Sequence, residues 1–237
     1  MYGKNRIEKL SLGDGKKIRV VNGSPFLTVQ GEGPYAGRSA VFVRLHGCHL
    51  RCTFCDTDFD NPDDPEVNIF DLVEWIMKIR HHARLVVITG GEPMRQNILP
   101  LCTRLCDLGF IVQIETSGTF WIDGIEDVAQ IVCSPKTPII DDRIFLNAVA
   151  FKYIISCCFN YGGGPFGYVP ITSTQPGVDR RQQLALPRAG VPVYLSPCDE
   201  GAGKEETTAL NRRMVGQLAI QYGVIAGVQL HKFMGLD

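Results

Sequence analysis

A chain of 237 residues that carries nine cysteines is long enough to bury one hydrophobic core without disulfide bonds. Its content of 45% hydrophobic and 21% charged residues excludes global disorder. Its net charge of -1 excludes an overall positive potential that would attract nucleic acid to the whole protein. We expect one domain over residues 22–237, preceded by an N-terminal extension over residues 1–21. Without an apolar signal core or a run that could span a bilayer, we expect a cytoplasmic protein.

Short apolar runs alternate along the chain with segments of helical periodicity. Strands are predicted at residues 40–45, 85–89, 110–115, 131–133, 150–155, 191–195 and 224–230, and helices at residues 68–80, 98–108 and 204–222. The last helix is predicted to present Leu210, Met214, Leu218 and Tyr222 on one apolar face. Repeated strand–helix units indicate an α/β fold with a parallel sheet and helical crossovers. Because a complete eight-fold barrel needs roughly 250 residues, we expect a partial, open TIM-type barrel. The glycine-rich residues 159–174 are expected to form a loop or hairpin excursion.

Three cysteines, Cys48, Cys52 and Cys55, lie within eight residues directly after a predicted strand. Disulfides are rare in the cytosol, so metal or redox chemistry is the first interpretation. A tetrahedral zinc site would need a fourth ligand, for which His46 or His49 is available. A four-iron cluster held by three thiolates instead leaves one iron open to another ligand. From spacing alone, a zinc knuckle and unligated core cysteines both stay open.

The spacing C-x3-C-x2-C, followed by residues 89–93 (TGGEP) at the end of the next predicted strand, resembles the radical S-adenosylmethionine superfamily. Within it, the sequence is similar to the 7-carboxy-7-deazaguanine synthase family. The segments that carry this second resemblance are, in chain order, residues 28–33 (TVQGEG), 42–48 (FVRLHGC), 55–57 (CDT), 87–93 (VITGGEP), 114–119 (IETSGT), 133–136 (CSPK) and 229–232 (QLHK).

The resemblance implies a carbon–nitrogen lyase that uses a [4Fe-4S] cluster, S-adenosylmethionine and Mg2+. Its substrate would be 6-carboxy-5,6,7,8-tetrahydropterin, and ring contraction with loss of ammonia would give 7-carboxy-7-deazaguanine for queuosine and 7-deazapurine biosynthesis. The product would serve modification either of tRNA or of DNA. A small-molecule pterin, a flavodoxin- or ferredoxin-type electron donor and a second copy in a homodimer are the implied partners. Direct contact with nucleic acid or a membrane is not expected.

The resemblance also implies roles for individual residues. Cluster ligands would be Cys48, Cys52 and Cys55, and Thr57 would bind Mg2+. Cofactor contacts would come from Gly91, Glu92, Ser117, Ser134, Pro135 and Lys136. Substrate contacts would come from Val29, Gln30, Gly31, Glu32, Arg44 and Thr89. His231 is expected near the mouth of the site, and the other six cysteines are expected to be core or strand residues.

Two alternative functions remain. Another radical S-adenosylmethionine enzyme, such as a glycyl-radical activase, would share the cysteine triplet, but activases tend to carry a DGPG-type motif before it, where this chain has residues 30–34 (QGEGP). A non-catalytic zinc or iron–sulfur module would share the cysteines but would not need the GGEP and SPK segments.

Overall fold

A computed structural model describes residues 5–10, 12–55, 57–157 and 183–236 of the chain. The strands of the described part are β1 (Lys17–Arg19), β2 (Phe26–Val29), β3 (Ser39–Leu45), β4 (Glu66–Asn68), β5 (Leu85–Gly90), β6 (Ile111–Thr116), β7 (Gln130–Cys133), β8 (Ala148–Ile155), β9 (Val193–Pro197) and β10 (Ile225–Ala226). The α-helices are α1 (Ile69–Ile79), α2 (Leu99–Asp107), α3 (Asp142–Asn147), α4 (Glu205–Tyr222) and α5 (Leu230–Phe233).

An eight-stranded sheet in the order β10-β9-β8-β7-β6-β5-β3-β2 forms the centre of the fold. All neighbouring strands run parallel except β2, which pairs antiparallel with β3. Strands β10 and β2 are the two edges, so the barrel is open, and α5 lies beside β2 across the opening. The predicted α/β fold with a partial, open barrel is confirmed.

The helical crossovers follow local sequence signals. The side chain of Asn68 accepts a hydrogen bond from the Phe70 amide at 2.9 Å and so caps α1. Helix α1 buries the side chains of Ile69, Leu72, Val73 and Ile76, which recur at helical spacing. Helix α2 ends before Gly109, whose positive φ of 79° suits a helix terminus. Both helices pack on the core cluster that the sheet residues Val43 and Ile88 share.

Two predicted elements differ from the structure. The run 224–230 was expected to be one strand, but β10 ends at Ala226 and Leu230 already begins α5. After the Gly227 amide, which donates to the Leu195 carbonyl at 2.7 Å, the chain leaves the sheet edge, and the Leu230 amide hydrogen-bonds to the carbonyl of Gly31 at 3.2 Å. Helix α4 buries Asn211, Val215 and Leu218, whereas Leu210, placed on the apolar face by the sequence, is 52% exposed.

The region before residue 22 contributes to the core. Strand β1 pairs antiparallel with β4, and Ile18 and Val20 are buried in the main core cluster. Ile7 forms an isolated parallel bridge with Cys48. The boundary between an extension and a domain at residue 21 stays a prediction, and the predicted excursion over 159–174 lies outside the described residues. No helix in the described ranges is long and apolar enough to cross a membrane.

The sheet core allows a test of the fold. Ile88, in the middle of the sheet, is 0% exposed, so Ile88→Ala is expected to lower the free energy of unfolding by about 2–5 kcal/mol. Ile220→Ala on α4 is the control, because Ile220 is 87% exposed and its truncation should change stability by no more than about 0.5 kcal/mol. Urea unfolding followed by circular dichroism measures both. Equal effects of the two substitutions would contradict the assigned core.

Candidate active site

A cavity of about 260 Å³ opens at the carboxyl ends of the parallel strands. This is the edge where open α/β sheets bind ligands, because the loops that follow the strands meet there. The predicted site residues that line it are Val29, Gln30, Glu32, Arg44, Cys48, Cys52, Cys55, Thr57, Thr89, Gly91, Glu92, Ser117, Ser134 and Lys136. Pro135 and Gly31 do not line it. Pro135 is buried, and a Cβ on Gly31 would lie 2.0 Å from Nδ1 of His231.

The three cysteines of the triplet form no disulfide bond and line this cavity. Sγ of Cys48 accepts a hydrogen bond from the Leu50 amide at 3.3 Å, and Sγ of Cys55 lies 3.8 Å from Nδ2 of Asn5. Burial and the nearby Glu92 carboxylate raise the pKa of the Cys48 thiol, and the other two cysteines raise it further. Holding Cys48 as a thiolate therefore requires a cationic group beside it, which fits an iron–sulfur cluster. Within the described ranges, no three His, Cys, Asp or Glu side chains are grouped to hold a single metal ion.

The glycine pair at the end of β5 lies directly against the cysteine loop. The Gly91 amide donates to the Leu45 carbonyl at 2.9 Å, and the Glu92 amide donates to the Gly47 carbonyl at 3.0 Å. A Cβ on Gly91 would lie 1.9 Å from the carbonyl oxygen of Gly47, and Gly90 has a positive φ of 113°. Both positions therefore need glycine, and the pair joins the cysteine loop to the end of β5.

Glu92 is an anchor between two strand ends. Its carboxylate is 1% exposed. Oε1 accepts from Oγ1 of Thr116 at 2.7 Å and from the Met94 amide at 3.3 Å. Oε2 accepts from the amide and the hydroxyl of Ser117 at 2.9 and 2.5 Å. With four donors from the protein, the carboxylate ties the end of β5 to the end of β6.

Hydrogen bonds extend from this anchor back to the cysteine loop. The Ser117 hydroxyl lies 3.0 Å from Oγ1 of Thr119, which lies 2.7 Å from Nε2 of His49. The His49 ring also packs on Phe120, with ring centroids 4.4 Å apart. Burial lowers the pKa of His49, so its ring is neutral at pH 7. His49 thus contacts the loop after β6.

A second buried network supports the turn before Cys48. The two ring nitrogens of His46 hydrogen-bond to Asp64 Oδ2 at 2.7 Å and to Glu8 Oε1 at 2.9 Å. Arg95 donates to the other oxygen of Glu8 at 2.6 Å, and the Glu8 amide donates to the Cys48 carbonyl at 2.8 Å. With both ring nitrogens bound to carboxylates, His46 is not available as a fourth zinc ligand.

Lys136 and Ser134 lie together at the end of β7. Nζ of Lys136 donates to the carbonyl and the hydroxyl of Ser134 at 2.7 and 2.5 Å, and it lies 5.9 Å from the ring centroid of Phe54. Burial lowers the pKa of Lys136, and the nearby Cys52 opposes that effect. The Ser134 amide is fixed by the Thr116 carbonyl at 2.7 Å. This group brings an ammonium close to the cysteines.

Most of the residues predicted for substrate line the same cavity, and we call this part of the lining the substrate wall. The guanidinium of Arg44 lies 4.8 Å from the ring centroid of Phe26, and Arg44 is aligned with Thr89 in the pairing of β3 with β5. His231 and Gln229 complete the wall, and Lys232 pairs with Asp199 at 2.7 Å. Cys198 also lines the cavity, although it was expected to be only a core or strand residue.

Three charged residues of the cavity lining, Lys152, Glu32 and Glu115, form a group that was not expected from the sequence; we call this group the cavity floor. Lys152 is 5% exposed and donates to Glu32 Oε2 and Glu115 Oε2, at 2.8 Å each. Glu115 lies within the segment 114–119 (IETSGT), and Lys152 lies in none of the segments that carry the family resemblance. A signal existed, because Lys152 is the one charged residue in the β8 sequence AVAFKYII. A lysine facing into such a strand needs a partner for its charge.

Comparisons with known proteins extend these observations. The Radical SAM superfamily profile matches residues 42–137. The protein named 7-carboxy-7-deazaguanine synthase from Rhodospirillum rubrum is 38% identical, over 99% of this chain and 99% of its own length. The protein of that name from Rickettsia prowazekii is 32% identical, over 100% of this chain and 96% of its own length. The crystal structure of QueE from Escherichia coli shares the fold, with a TM-score of 0.63 at 22% identity over 91% of this chain and 95% of that one.

The glycine pair yields a test of the junction between the cysteine loop and β5. Gly91→Ala is expected to displace the loop, because the added Cβ would meet the Gly47 carbonyl, and iron and sulfide content after reconstitution should fall by more than half. Gly216→Ala is the matched control. It lies inside α4 with nothing within 4 Å of an added Cβ, and it should raise stability by up to about 1 kcal/mol with full iron content. Full iron loading of Gly91→Ala would contradict the role of this contact.

Proposed function

The chain belongs to the 7-carboxy-7-deazaguanine synthase family of radical S-adenosylmethionine enzymes, and from this premise we propose that its cavity converts 6-carboxy-5,6,7,8-tetrahydropterin to 7-carboxy-7-deazaguanine. The observation that supports the proposal is one cavity lined both by the cysteine triplet and by residues predicted for the pterin. The reaction is a ring contraction with loss of ammonia, catalysed by a carbon–nitrogen lyase of queuosine biosynthesis. Similarity over the whole chain sets aside the activase and the non-catalytic module.

Cys48, Cys52 and Cys55 would hold the [4Fe-4S] cluster, and the position of all three around one cavity fits that group. When bound, the cluster and S-adenosylmethionine would supply the radical chemistry that starts the reaction. The protein contributes position and exclusion of water. We assign the cofactor side of the cavity to the backbone at Gly91 and to the group formed by Ser134 and Lys136. Ser117 and Glu92 support that side from the ends of β6 and β5.

The substrate side would be formed by the loop after β2 and by the ends of β3 and β5. The guanidinium of Arg44 can pair with the substrate carboxylate through two N–H donors. Gln30 can both donate to and accept from the edge of the heterocycle, and Glu32 accepts from it. Thr89 adds a hydroxyl beside Arg44. Val29 contributes to the same wall, whereas Gly31 acts through its backbone, which meets α5.

The enzyme requires a source of single electrons, and we propose a flavodoxin or a ferredoxin as that donor. We further propose that the enzyme works in the cytoplasm as a homodimer. We propose that it binds neither nucleic acid nor a membrane directly. Chemistry at the cluster requires low-potential reduction, which such small electron-transfer proteins supply.

A magnesium ion is proposed at Thr57, two residues after Cys55. The Thr57 side chain lines the cavity, and its carbonyl accepts from Nδ2 of Asn5 at 2.8 Å, which fixes the residue beside the cysteine loop. Mg2+ keeps several waters and readily takes substrate oxygens, so one protein hydroxyl is an acceptable contribution. The role would be to hold the substrate's oxygen atoms next to the cofactor.

The product assay tests the proposed function. Anaerobically reconstituted protein, given S-adenosylmethionine, a reductant and 6-carboxy-5,6,7,8-tetrahydropterin, is expected to form 7-carboxy-7-deazaguanine detectable by mass spectrometry. Cys52→Ala should abolish cluster assembly and product while the chain stays folded. Cys106→Ala should leave both unchanged, because Cys106 is exposed on α2 away from the cavity. Cleavage of S-adenosylmethionine by the unaltered protein without deazaguanine product would overturn the assignment.

A titration with magnesium tests the role of Thr57. Thr57→Ala is expected to raise the Mg2+ concentration for half-maximal activity by about tenfold or more, because a ligand oxygen is lost. Thr57→Ser keeps the hydroxyl and should stay close to the unaltered protein. Both variants should keep full iron content. An identical Mg2+ dependence in the alanine variant would remove Thr57 from the metal site.

A further inference from the structure

The charged group on the cavity floor joins three separate elements. Lys152 projects from β8, Glu115 from β6, and Glu32 from the loop after β2. Nζ of Lys152 lies 2.8 Å from Oε2 of each carboxylate. All three side chains line the cavity. The floor thus presents two carboxylates held by one shared ammonium.

The remaining oxygens of the two carboxylates differ in their partners. Oε1 of Glu115 accepts from the amide groups of Gln30 at 2.9 Å and of Gln113 at 3.1 Å. Oε1 of Glu32 is buried and has no hydrogen-bond partner within the described residues. A buried carboxylate oxygen without a donor is costly, and a ligand that brings an N–H group into the cavity would supply one.

The charge states follow from these contacts. Burial opposes ionisation of Glu115, but the charge of Lys152 and the hydrogen bonds from Lys152 and Gln30 hold its pKa below its ordinary value. Burial likewise opposes the charge on Lys152, and the two carboxylates overcome it and raise the pKa of the ammonium. Lys152 therefore stays protonated. The Glu115 carboxylate is ionised and can only accept hydrogen bonds, and Oε2 of Glu32 likewise accepts from Lys152.

We propose that Lys152 is a positioning residue that keeps Glu32 and Glu115 as hydrogen-bond acceptors and thereby makes the cavity specific for heterocycles with an amino group next to a ring N–H. The 2-amino-4-oxopyrimidine edge of a pterin has these two adjacent donors. A lumazine, which carries a carbonyl oxygen at position 2, would place an acceptor against a carboxylate. The inference rests on the proposed function and adds the residue that sets its selectivity.

Removal of the ammonium should reverse this preference for a physical reason. Two carboxylates that no longer share a cation repel each other, and burial favours uptake of one proton by the pair. A protonated carboxyl is a donor, so the floor would then suit a carbonyl oxygen as well as an amino group. A purely structural role for Lys152 would weaken both ligands by the same factor.

The test compares two oxidised ligands that the enzyme does not turn over. Protein with its cluster and S-adenosylmethionine, but without reductant, is titrated with 6-carboxypterin and with 6-carboxylumazine. The unaltered protein is expected to bind the pterin about 100-fold more tightly, because a site that pairs with a substrate N–H rejects the analogue without it. In Lys152→Met this ratio should fall below about tenfold. Lys152→Arg retains the charge and should keep most of the preference.

Each outcome decides the inference. An unchanged ratio in Lys152→Met, with both affinities lowered equally or not at all, overturns it. If Lys152→Met fails to assemble the cluster, Glu32→Gln becomes the deciding variant, because it exchanges an acceptor oxygen for a donor without loss of volume. Its ratio should also collapse, and an unchanged ratio would again overturn the inference. Unaltered protein that forms no 7-carboxy-7-deazaguanine contradicts the proposed function instead, so the two failures are distinguishable.

Discussion

The site depends on the backbone contact between the end of β5 and the loop that carries the cysteines. A parallel sheet places neighbouring strand ends about 4.8 Å apart, but it does not fix the loops that follow. Here the amides of Gly91 and Glu92 bind the carbonyls of Leu45 and Gly47, and the absence of a Cβ at Gly91 lets the two chains meet. One surface therefore carries both the proposed cluster ligands and the proposed cofactor contacts, with no side chain between them.

Around this contact, the protein uses buried charge for position. His46 is held between Asp64 and Glu8 beneath the cysteine loop, and Lys152 is held between Glu32 and Glu115 on the floor. Burying such pairs brings little net stability, because desolvation offsets most of the attraction between the charges. Their benefit is geometric, because each charged group accepts only a narrow range of positions for its partners. The cysteine loop and the cavity floor are therefore held in the same way: one nitrogen-bearing side chain, His46 or Lys152, lies between two carboxylates.

Much of this arrangement could be predicted from the sequence, and the misses have physical causes. The cysteine triplet and the glycine pair have short spacings and distinctive chemistry, and α1 has strict helical periodicity, so these features are local. Strands such as β1 and β4 are three residues each, too short to give a pattern. The run 224–230 is apolar enough for a strand, but the strand ends at Ala226 and Leu230 instead makes a tertiary hydrogen bond to Gly31, which is 199 residues away and leaves no local pattern. Lys152 and Glu32 are 120 residues apart, so no local spacing could reveal their contact.

The connectivity of the sheet has a consequence for synthesis on the ribosome. Each described strand from β5 onward lies beside the strand that immediately precedes it in the main sheet, so an emerging chain can extend an existing edge. The partners that hold the turn before Cys48, namely Glu8, Asp64 and Arg95, all precede the second half of the chain. The charged group on the cavity floor is complete only after Lys152 has been synthesised, and the contact of His231 with Gly31 forms only after the C-terminal segment has been synthesised. The order of translation therefore completes the cysteine loop first and the part of the lining proposed to contact the heterocycle last.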